Sequence, residues 1–397
     1  SRYVARMLGR TPEALRMLAA PDQLRARDPD ELAAAMQESA ARQDDPAAAV
    51  AAIRGVRREE LLRTAFADLL AVSDVVEVGV ALSATTEAAL EAALEVASRA
   101  VADEHGLAEL PIGFAVIAMG RLGGAEVGYG SDADVLFVHE ALDGDEERAA
   151  RLAIELAGKL RALLGAPSST DPPFGVDADL RPEGRNGPLS RSLESYRSYY
   201  ARWSSAWEAQ ALLRARPVAG SRALRERFVA MIDPVRYPVG GVAADDLLEI
   251  RRLKGRIDDE RLPRGADPTT HTKLGRGGLT DIEWTIQLLQ LQHGHDVDGL
   301  RTTRTLAALD AARDVGLLTA DQAAALDAAW RFATRVRNAL MLVRDKAADQ
   351  LPTQGGDLVA VGRVLGYRPG SDPGQLVDDY RRAARRARRI VEAVFYG

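Results

Sequence analysis

Cysteine is absent from this chain of 397 residues. Its absence excludes disulfide bonds, thiolate zinc sites and cysteine nucleophiles, and it agrees with a reducing compartment, so we expect the protein in the cytoplasm. The sequence shows no signal peptide and no apolar run of the ~18 residues that a spanning helix needs, so we expect no membrane partner. The chain begins at Ser1 without an initiator methionine, which indicates a fragment of a longer protein.

A basic overall charge is also missing, since the formal net charge is -6. A general nucleic-acid binder usually carries a basic field, so we expect no nucleic-acid partner. The exception is a run of arginines within residues 381–389, which on a helix would flank an apolar stripe. That stripe comprises Tyr380, Ala384, Ala387, Val391 and Phe395. Two interpretations stay open: the arginines form the solvated face of a terminal helix, or they contact an acidic partner.

Length and composition indicate a globular protein of two or three structural units. The hydrophobic fraction of 47% is normal for a folded chain. Residues 1–110 show helical spacing with short turns and form a helical amino-terminal region. Residues 111–257 contain apolar runs typical of strands, followed by a helical extension. Residues 258–397 begin with a polar linker and continue as a carboxy-terminal helical bundle.

Three short segments of the central unit are predicted to be β-strands. Two apolar runs, at 113–119 and 133–138, are bounded by turn-forming or polar residues, and a third segment at 174–180 follows helical spacing at 145–164. Two strands, a helix and a third strand make a compact unit. The predicted fold class is therefore α+β, with a small mixed sheet flanked by helical domains and a predominantly helical chain overall.

Two carboxylates open the second predicted strand. Asp132 and Asp134 are separated by one residue, so on a strand their side chains project from the same face. Like charges that close repel each other unless a cation lies between them, and oxygen ligands suit Mg²⁺, which also accepts substrate phosphates. A further carboxylate, Asp177, falls in the third predicted strand. The combination predicts a magnesium site at the edge of the sheet.

A glycine-rich turn precedes these carboxylates. Gly120, Gly123 and Gly124 lack side chains, so their amides are candidates to approach a triphosphate closely. Ser131 is a candidate to donate its hydroxyl to the same phosphates. The turn is not a P-loop, because no Gly-Lys-Ser/Thr follows the glycines at the required spacing.

The same stretch resembles the polymerase-β-type nucleotidyltransferase superfamily, in which a strand and a Gly-x-x-Gly-Gly turn precede Asp-x-Asp and a later carboxylate. Residues 118–134 more closely resemble the signature of the glutamine synthetase adenylyltransferase family. Three later blocks resemble that family as well, at 176–182, 207–216 and 273–283. All four blocks stand in the order in which the family carries them.

The resemblance implies an activity. The family's full-length bacterial enzyme has two similar halves: the amino-terminal half removes AMP from glutamine synthetase by phosphorolysis, and the carboxy-terminal half attaches AMP from ATP. Residues 128–132 resemble the attaching half. We therefore expect ATP-dependent adenylylation of a tyrosine on glutamine synthetase, with release of pyrophosphate, two Mg²⁺ ions as cofactors and a PII-type signalling protein as a further partner.

The resemblance also implies roles for the carboxylates. Asp132, Asp134 and Asp177 are the implied metal ligands and catalytic residues: the first two hold the metal on the triphosphate, and all three hold a metal that lowers the pKa of the attacking hydroxyl. Asp179 stands where many family members carry arginine. On a strand it would share a face with Asp177, and the family pattern places the metal at Asp177.

Charged residues outside this cluster have open roles. Lys273, Arg121 and Arg276 are candidates to neutralise charge on the pyrophosphate. Asp281 and Glu283 leave two interpretations, because they either anchor the start of a helix, near its positive end, or touch the substrate.

Three alternative functions remain open at this stage. The chain could be the deadenylylating half, which uses phosphate and releases ADP. It could be a regulatory module that binds nucleotide or a signalling partner without catalysis, although the intact carboxylates argue against that. Polynucleotide or tRNA nucleotidyl transfer is the third, and it lacks a basic surface outside the terminal helix.

Overall fold

The computed structural model describes residues 1–168, 171–172, 174–202 and 205–397, without the side chains of residues 21, 22 and 259. The described residues form fifteen α-helices and one five-stranded sheet, which confirms the predicted α+β class. The helices are α1 (Arg2–Leu8), α2 (Pro29–Ala41), α3 (Pro46–Leu69), α4 (Val75–Glu104), α5 (Gly120–Gly123), α6 (Glu146–Gly165), α7 (Leu193–Arg202), α8 (Ala206–Leu212), α9 (Arg222–Arg236), α10 (Ala244–Glu260), α11 (Leu279–His293), α12 (Thr305–Asp314), α13 (Ala320–Arg344), α14 (Gly356–Val364) and α15 (Gly374–Phe395). The strands are β1 (Ile112–Ala118), β2 (Ala133–Ala141), β3 (Val176–Asp177), β4 (Ser190–Ser192) and β5 (Arg216–Gly220).

The sheet is mixed, with the order β3-β2-β1-β5 and with β4 also paired to β2. β1 is antiparallel to both β2 and β5. β3 and β4 run parallel to β2, β3 beside its first two residues and β4 beside residues 137–139. A parallel neighbour requires a long crossover, which α6 supplies between β2 and β3. The crossover places the starts of β2 and β3 next to each other.

Helices cover both faces of the sheet. β1 is buried along its whole length, as a continuous apolar strand packed on both sides should be. One face shares a hydrophobic core with α1–α4 and α6, and the other face packs against α7 and α9. A second large core joins α8 and α10 to the helices from α11 to α15. The division of the chain at residues 110 and 257 stays a prediction.

The strands differ from the predicted ones at their ends. β1, β2 and α6 lie within one to three residues of the predicted segments, but β3 is limited to Val176–Asp177 instead of 174–180, because the chain turns after Asp177. β4 and β5 were not predicted. β4 has only three residues, and β5 contains Pro217 and ends at Gly220, whose φ is +84°, so both segments resemble turns.

The terminal helix α15 has the predicted amphipathic character. All five residues of the predicted apolar stripe are buried. Arg385, Arg386 and Arg389 are exposed on the opposite side and form no ion pair with the described residues. No helix in the described part of the chain is long and apolar enough to cross a membrane.

Candidate active site

The three predicted catalytic carboxylates lie at the edge of the sheet where β2 and β3 begin. In the parallel register, Asp134 of β2 pairs with Asp177 of β3. Register partners on neighbouring strands project from the same face of the sheet, so these two side chains adjoin. Asp132 lies two residues before Asp134 and is exposed. The α6 crossover therefore assembles carboxylates that are far apart in sequence.

The charges of these carboxylates act on one another. Burial raises the pKa of the Asp134 carboxyl to about 6, and the negative charges of Asp177 and Asp132 add to the rise. The positive charge of Lys273 opposes them. A carboxylate whose pKa is raised by neighbouring negative charge is stabilised in its ionised form by a cation close to it. The electrostatics of this edge therefore favours a bound cation.

Two glycines leave room for the carboxylates. Gly120, at the start of α5, has a left-handed φ of +52°, and a Cβ there would collide with Asp134 Oδ2. A Cβ at Gly175 would lie 2.5 Å from Asp132 Oδ1. A larger residue at either position would displace a carboxylate. Gly120 was predicted as a site residue, whereas Gly175 was not, because a lone glycine before a short strand carries no specific signal.

The other two glycines of the turn are required by packing. The Gly123 amide donates to the Met119 carbonyl at 2.8 Å, and the Gly124 amide donates to the Gly120 carbonyl at 3.3 Å. A Cβ at Gly123 would collide with the Arg214 carbonyl, and one at Gly124 would collide with the Arg214 guanidinium. Their amides are thus engaged within the turn. Of the three predicted phosphate-binding glycines, Gly120 is the one placed beside a catalytic carboxylate.

Ser131 closes the turn that leads into β2. Its Oγ accepts a hydrogen bond from the Gly128 amide at 3.1 Å, and its amide donates to the Gly128 carbonyl. The hydroxyl proton has no acceptor among the described residues, so phosphate binding by Ser131 stays a prediction. Tyr129, which lies between Gly128 and Ser131 in the sequence, is buried, and its hydroxyl donates to Asp68 Oδ2 at 3.1 Å. This run therefore packs the site against α3.

Of the three predicted basic residues, the structure brings Lys273 to the carboxylates. Lys273 is exposed and forms no ion pair in the described part of the chain. Arg121 is half-buried, its Nε donates to the Glu126 carbonyl at 2.7 Å, and burial lowers the pKa of its guanidinium to about 10. Arg276 is exposed in a groove that it shares with arginines of α15. Lys273 therefore supplies positive charge near the carboxylates, whereas Arg121 braces the glycine turn.

Asp179 does not share a strand face with Asp177, so that expectation is wrong. It lies in the turn after β3, and its amide donates to Asp177 Oδ1 at 2.7 Å. Its carboxylate lies 2.6 Å from the Arg185 guanidinium and 3.6 Å from that of Arg181. The hydrogen bond from Arg185 lowers the pKa of Asp179. A carboxylate paired with two guanidiniums is a poor metal ligand, so the geometry favours Asp177.

The donor set suits a hard divalent cation in type. Asp132, Asp134 and Asp177 offer only carboxylate oxygens, the ligands that Mg²⁺ prefers, and none of them forms an ion pair with a described residue. Among the described residues, however, no group of three or more His, Asp or Glu side chains is arranged to hold a metal ion. The carboxylates thus fit the cation in chemistry and charge, but they are not drawn together as they would be around a bound ion.

A cavity of about 360 Å³ opens beside Gly120. Its walls include two indole rings, two amides, two guanidinium groups and four aliphatic side chains. They are Trp207, Gln210 and Ala211 of α8, Leu253 and Ile257 of α10, Trp284 and Gln287 of α11, and Leu180, Arg214 and Arg261 outside the helices. This volume lies within the range of small-molecule sites, roughly 300–1,000 Å³. Since Gly120 lines the cavity and adjoins Asp134, the cavity opens close to that carboxylate.

Sequence reasoning missed this cavity, although a signal was present. Trp207 and Gln210 on α8 have the same Trp-x-x-Gln spacing as Trp284 and Gln287 on α11. Residues three apart lie on one face of a helix, so each helix can bring one ring and one amide to the same place. The repeated spacing, once within the block at 207–216 and once directly after the block at 273–283, was the available clue.

Asp281 anchors the loop that carries Lys273. Its Oδ1 accepts from Lys254 Nζ at 2.5 Å, and its Oδ2 accepts from the Gly277 amide at 2.7 Å and from Arg388 at 3.1 Å. Lys254 is 1% exposed and Asp281 is 2% exposed. A buried carboxylate whose oxygens already accept three hydrogen bonds from the protein has no place for substrate. The structure therefore supports the anchoring interpretation for Asp281.

Glu283 belongs to a second interior cluster. Its Oε1 lies 4.0 Å from the guanidinium of Arg214. Arg214 also donates to Glu126 at 2.9 Å and to the Thr305 hydroxyl at 2.6 Å. These bonds join the glycine turn to α8 and α12. Glu283 therefore contributes to the contact between the sheet and the helices of the carboxy-terminal part of the chain.

Comparison with known proteins identifies similar chains. The family model described as glutamate-ammonia ligase adenylyltransferase matches residues 1–231, and the model described as GlnD PII-uridylyltransferase matches residues 251–395. The bifunctional glutamine synthetase adenylyltransferase/adenylyl-removing enzyme of Streptomyces coelicolor is 53% identical over 408 residues, covering 98% of this chain and 40% of that protein. The proteins of the same name from Nocardia farcinica and Mycobacterium tuberculosis are 53% and 51% identical, each over 100% of this chain and 40% of their own length. The chain thus spans about 40% of the length of these relatives.

Proposed function

The chain belongs to the glutamate-ammonia ligase adenylyltransferase family, and from that premise we propose that it transfers AMP from ATP to a tyrosine of glutamine synthetase, releasing pyrophosphate and so down-regulating nitrogen assimilation. One observation carries the proposal: Asp132, Asp134 and Asp177 lie at the start of two adjacent strands without an ion-pair partner among the described residues, and Lys273 supplies a positive charge nearby. The names of the relatives support glutamine synthetase as the substrate.

The residues of the site have separate roles in the proposed transfer of AMP. Asp132, Asp134 and Asp177 would hold Mg²⁺, two ions in our proposal, which would supply positive charge against the triphosphate and would lower the pKa of the attacking hydroxyl. A tyrosine hydroxyl has a pKa near 10, so it must lose its proton as it attacks. Lys273 would neutralise charge on the departing pyrophosphate. The cavity beside Gly120 would take the nucleoside, which leaves the triphosphate at the carboxylates.

Mass spectrometry of glutamine synthetase tests the proposal directly. Purified glutamine synthetase is incubated with the chain, ATP and Mg²⁺, and its peptides are searched for an added AMP. We expect one modified tyrosine with the wild type and none with Asp134→Asn. Failure of the folded wild-type chain to modify any tyrosine would contradict the proposed function.

Removal of AMP is the second candidate, because the relatives are named for both activities. The resemblance of residues 128–132 to the attaching half supports attachment instead. The two directions release different products: attachment releases pyrophosphate from ATP, whereas phosphorolysis of adenylylated glutamine synthetase releases ADP. We expect pyrophosphate release to dominate, and a dominant release of ADP from adenylylated enzyme and phosphate would reverse the assignment.

We also propose a PII-type signalling protein as a regulatory partner. The support is the match of residues 251–395 to a model described as GlnD PII-uridylyltransferase. Adding a PII-type protein to the transfer assay should change the initial rate. An unchanged rate at saturating PII protein, with no binding by calorimetry, would contradict this partner.

A further inference from the structure

The two glutamines of the cavity are joined by one hydrogen bond. Gln210 Nε2 donates to Gln287 Oε1 at 2.8 Å. That bond occupies the Gln287 carbonyl and leaves its Nε2 without an acceptor among the described residues. Gln210 is 3% exposed, and its Oε1 is buried without a hydrogen-bond partner in the described part of the chain. The pair therefore retains one unused donor and one unused acceptor beside the cavity.

An unpaired buried carbonyl is a feature that needs an explanation. Leaving such a group without a partner costs about 1–3 kcal/mol, so folded proteins rarely retain one that no ligand or water completes. The neighbouring indole rings are also available, because Trp207 is 38% exposed and Trp284 is half-buried. Indole surface beside polar groups is the usual composition of a site for a nucleobase.

The edge of adenine has the complementary pattern. Its 6-amino group donates a hydrogen bond and the adjacent N1 accepts one, whereas a 6-oxopurine accepts at position 6 and donates from N1. We infer that the amide pair selects adenine: Gln287 Nε2 donates to N1, and Gln210 Oε1 accepts from the 6-amino group. This inference rests on the proposed function, since it assigns the base-selecting residues of the same nucleotide site.

The hydrogen bond between the glutamines determines which purine edge the pair prefers. An isolated glutamine can turn its amide and present either a donor or an acceptor. With its carbonyl held by Gln210, Gln287 presents only a donor to N1, and a protonated N1 meets it unfavourably. A site built to pair with polar groups rejects an analogue that leaves them unpaired, so selection of tenfold or more is expected.

Nucleotide analogues test the inference on the wild-type chain. Isothermal titration calorimetry gives dissociation constants for ATP, for ITP, which carries the 6-oxo edge, and for purine ribonucleoside triphosphate, which lacks the 6-amino group. We expect ATP to bind at least about tenfold more tightly than ITP, with the purine nucleotide between them. Equal affinities for ATP and ITP would overturn the inference without any variant having to fold.

Substitution then identifies the residues. Gln287→Leu and Gln210→Leu should each bring the affinities for ATP and ITP to within about threefold of each other, by loss of ATP affinity. Gln290→Leu is the matched control, because Gln290 is also buried on α11 but donates to the carbonyls of Leu300 and Thr302 away from the cavity. It should retain the preference for ATP. A full preference in both Leu variants of the pair, or its loss in the control, would overturn the assignment.

Binding and transfer separate this inference from the proposed function. If ATP is preferred and the pair controls the preference, the inference holds whether or not AMP reaches glutamine synthetase. If AMP is transferred but the preference does not depend on Gln210 and Gln287, the proposed function stands and the inference is wrong.

Discussion

Carboxylates occupy two contrasting environments in this chain. The catalytic edge, named for its proposed role, consists of Asp132, Asp134 and Asp177, and the buried ion cluster consists of Lys254, Asp258, Asp281 and Arg388. In the buried ion cluster, Lys254 Nζ lies 2.5 Å from both carboxylates and Arg388 lies 3.1 Å from Asp281. At the catalytic edge, none of the carboxylates has an ion-pair partner among the described residues.

The comparison separates charged groups that stabilise the fold by pairing with one another from charged groups that have no ion-pair partner in the described part of the chain and remain free to bind a ligand. A buried ion pair is strongly destabilised by loss of one partner, because the remaining charge is left in the interior. Carboxylates that repel one another lose nothing comparable when one is neutralised. The same substitution, aspartate to asparagine, should therefore act on activity at the catalytic edge and on stability in the buried ion cluster.

Neutralising the catalytic edge should produce the largest effect. We expect Asp134→Asn, and equally Asp132→Asn, to lower the rate of AMP transfer by at least about a hundredfold, since losing a metal ligand should cost several kcal/mol of transition-state stabilisation and each 1.36 kcal/mol is tenfold. Circular dichroism and thermal unfolding should show a native fold. A folded variant that keeps more than about a tenth of the wild-type rate would contradict the metal-site assignment.

The third carboxylate extends the comparison, because Asp177 has no ion-pair partner among the described residues and Asp179 is paired with arginines. Asp177→Ala should remove transfer almost completely. Asp179→Ala should leave substantial activity, since Asp179 holds Arg185 and Arg181 rather than the substrate. Initial rates of AMP transfer at saturating ATP measure both. Equal loss would indicate a four-carboxylate site, and a loss confined to Asp179→Ala would show that the ligand is misassigned.

The sequence predicted the catalytic edge better than its surroundings. Asp132 and Asp134 were predictable because two carboxylates at the start of a buried strand face the same way whatever the rest of the chain does. The position of Asp179 was not predictable, since the local composition is similar whether the strand has two residues or seven. Its pairing with Arg185 depends on the turn that ends β3.

Long-range contacts account for the other differences. The sequence suggested that Gly123 and Gly124 approach phosphate, but they are required by Arg214, which is about ninety positions away and reaches them only in the folded chain. The cavity also forms from α8, α10 and α11, which come together by tertiary packing. Side chains gathered from three helices leave only a weak local signal, such as the repeated Trp-x-x-Gln spacing.

Neutralising the buried ion cluster should change stability instead. We expect Asp281→Asn to lower the free energy of unfolding by about 3 kcal/mol, because Lys254 and Arg388 lose a buried partner while Lys254 keeps Asp258. Urea unfolding measures the change.

Combining the two substitutions provides the control. Lys254→Met together with Asp281→Asn should be less destabilising than the sum of the single substitutions, because the double variant leaves no unpaired lysine. Additive losses would show that the two side chains do not act as a pair. A loss of stability in Asp134→Asn as large as that in Asp281→Asn would contradict the contrast itself.

The smallest expected effect is on the pH dependence of stability, and it comes from a buried side chain that stays uncharged in the folded protein. His139 lies on β2 with Asp134, is 2% exposed and has Nδ1 2.8 Å from the Ser190 hydroxyl of β4. Burial lowers the pKa of His139 to about 4, below the value of about 6.5 in the unfolded chain.

The direction of the pH dependence follows from these two values. Above pH 6.5 the imidazole is neutral in both states, so its full contribution to stability is present. As the pH falls from 6.5 toward 4, the unfolded chain binds a proton that the folded chain does not, and the free energy of unfolding decreases by about 1.4 kcal/mol per pH unit. Between pH 7.5 and pH 5, the wild type should lose about 2 kcal/mol more than His139→Gln, as measured by urea unfolding at both values. The raised pKa of Asp134 acts in the opposite direction over the same range, so the variant must be compared with the wild type at each pH. An identical loss in both proteins would show that His139 is not held neutral by the fold.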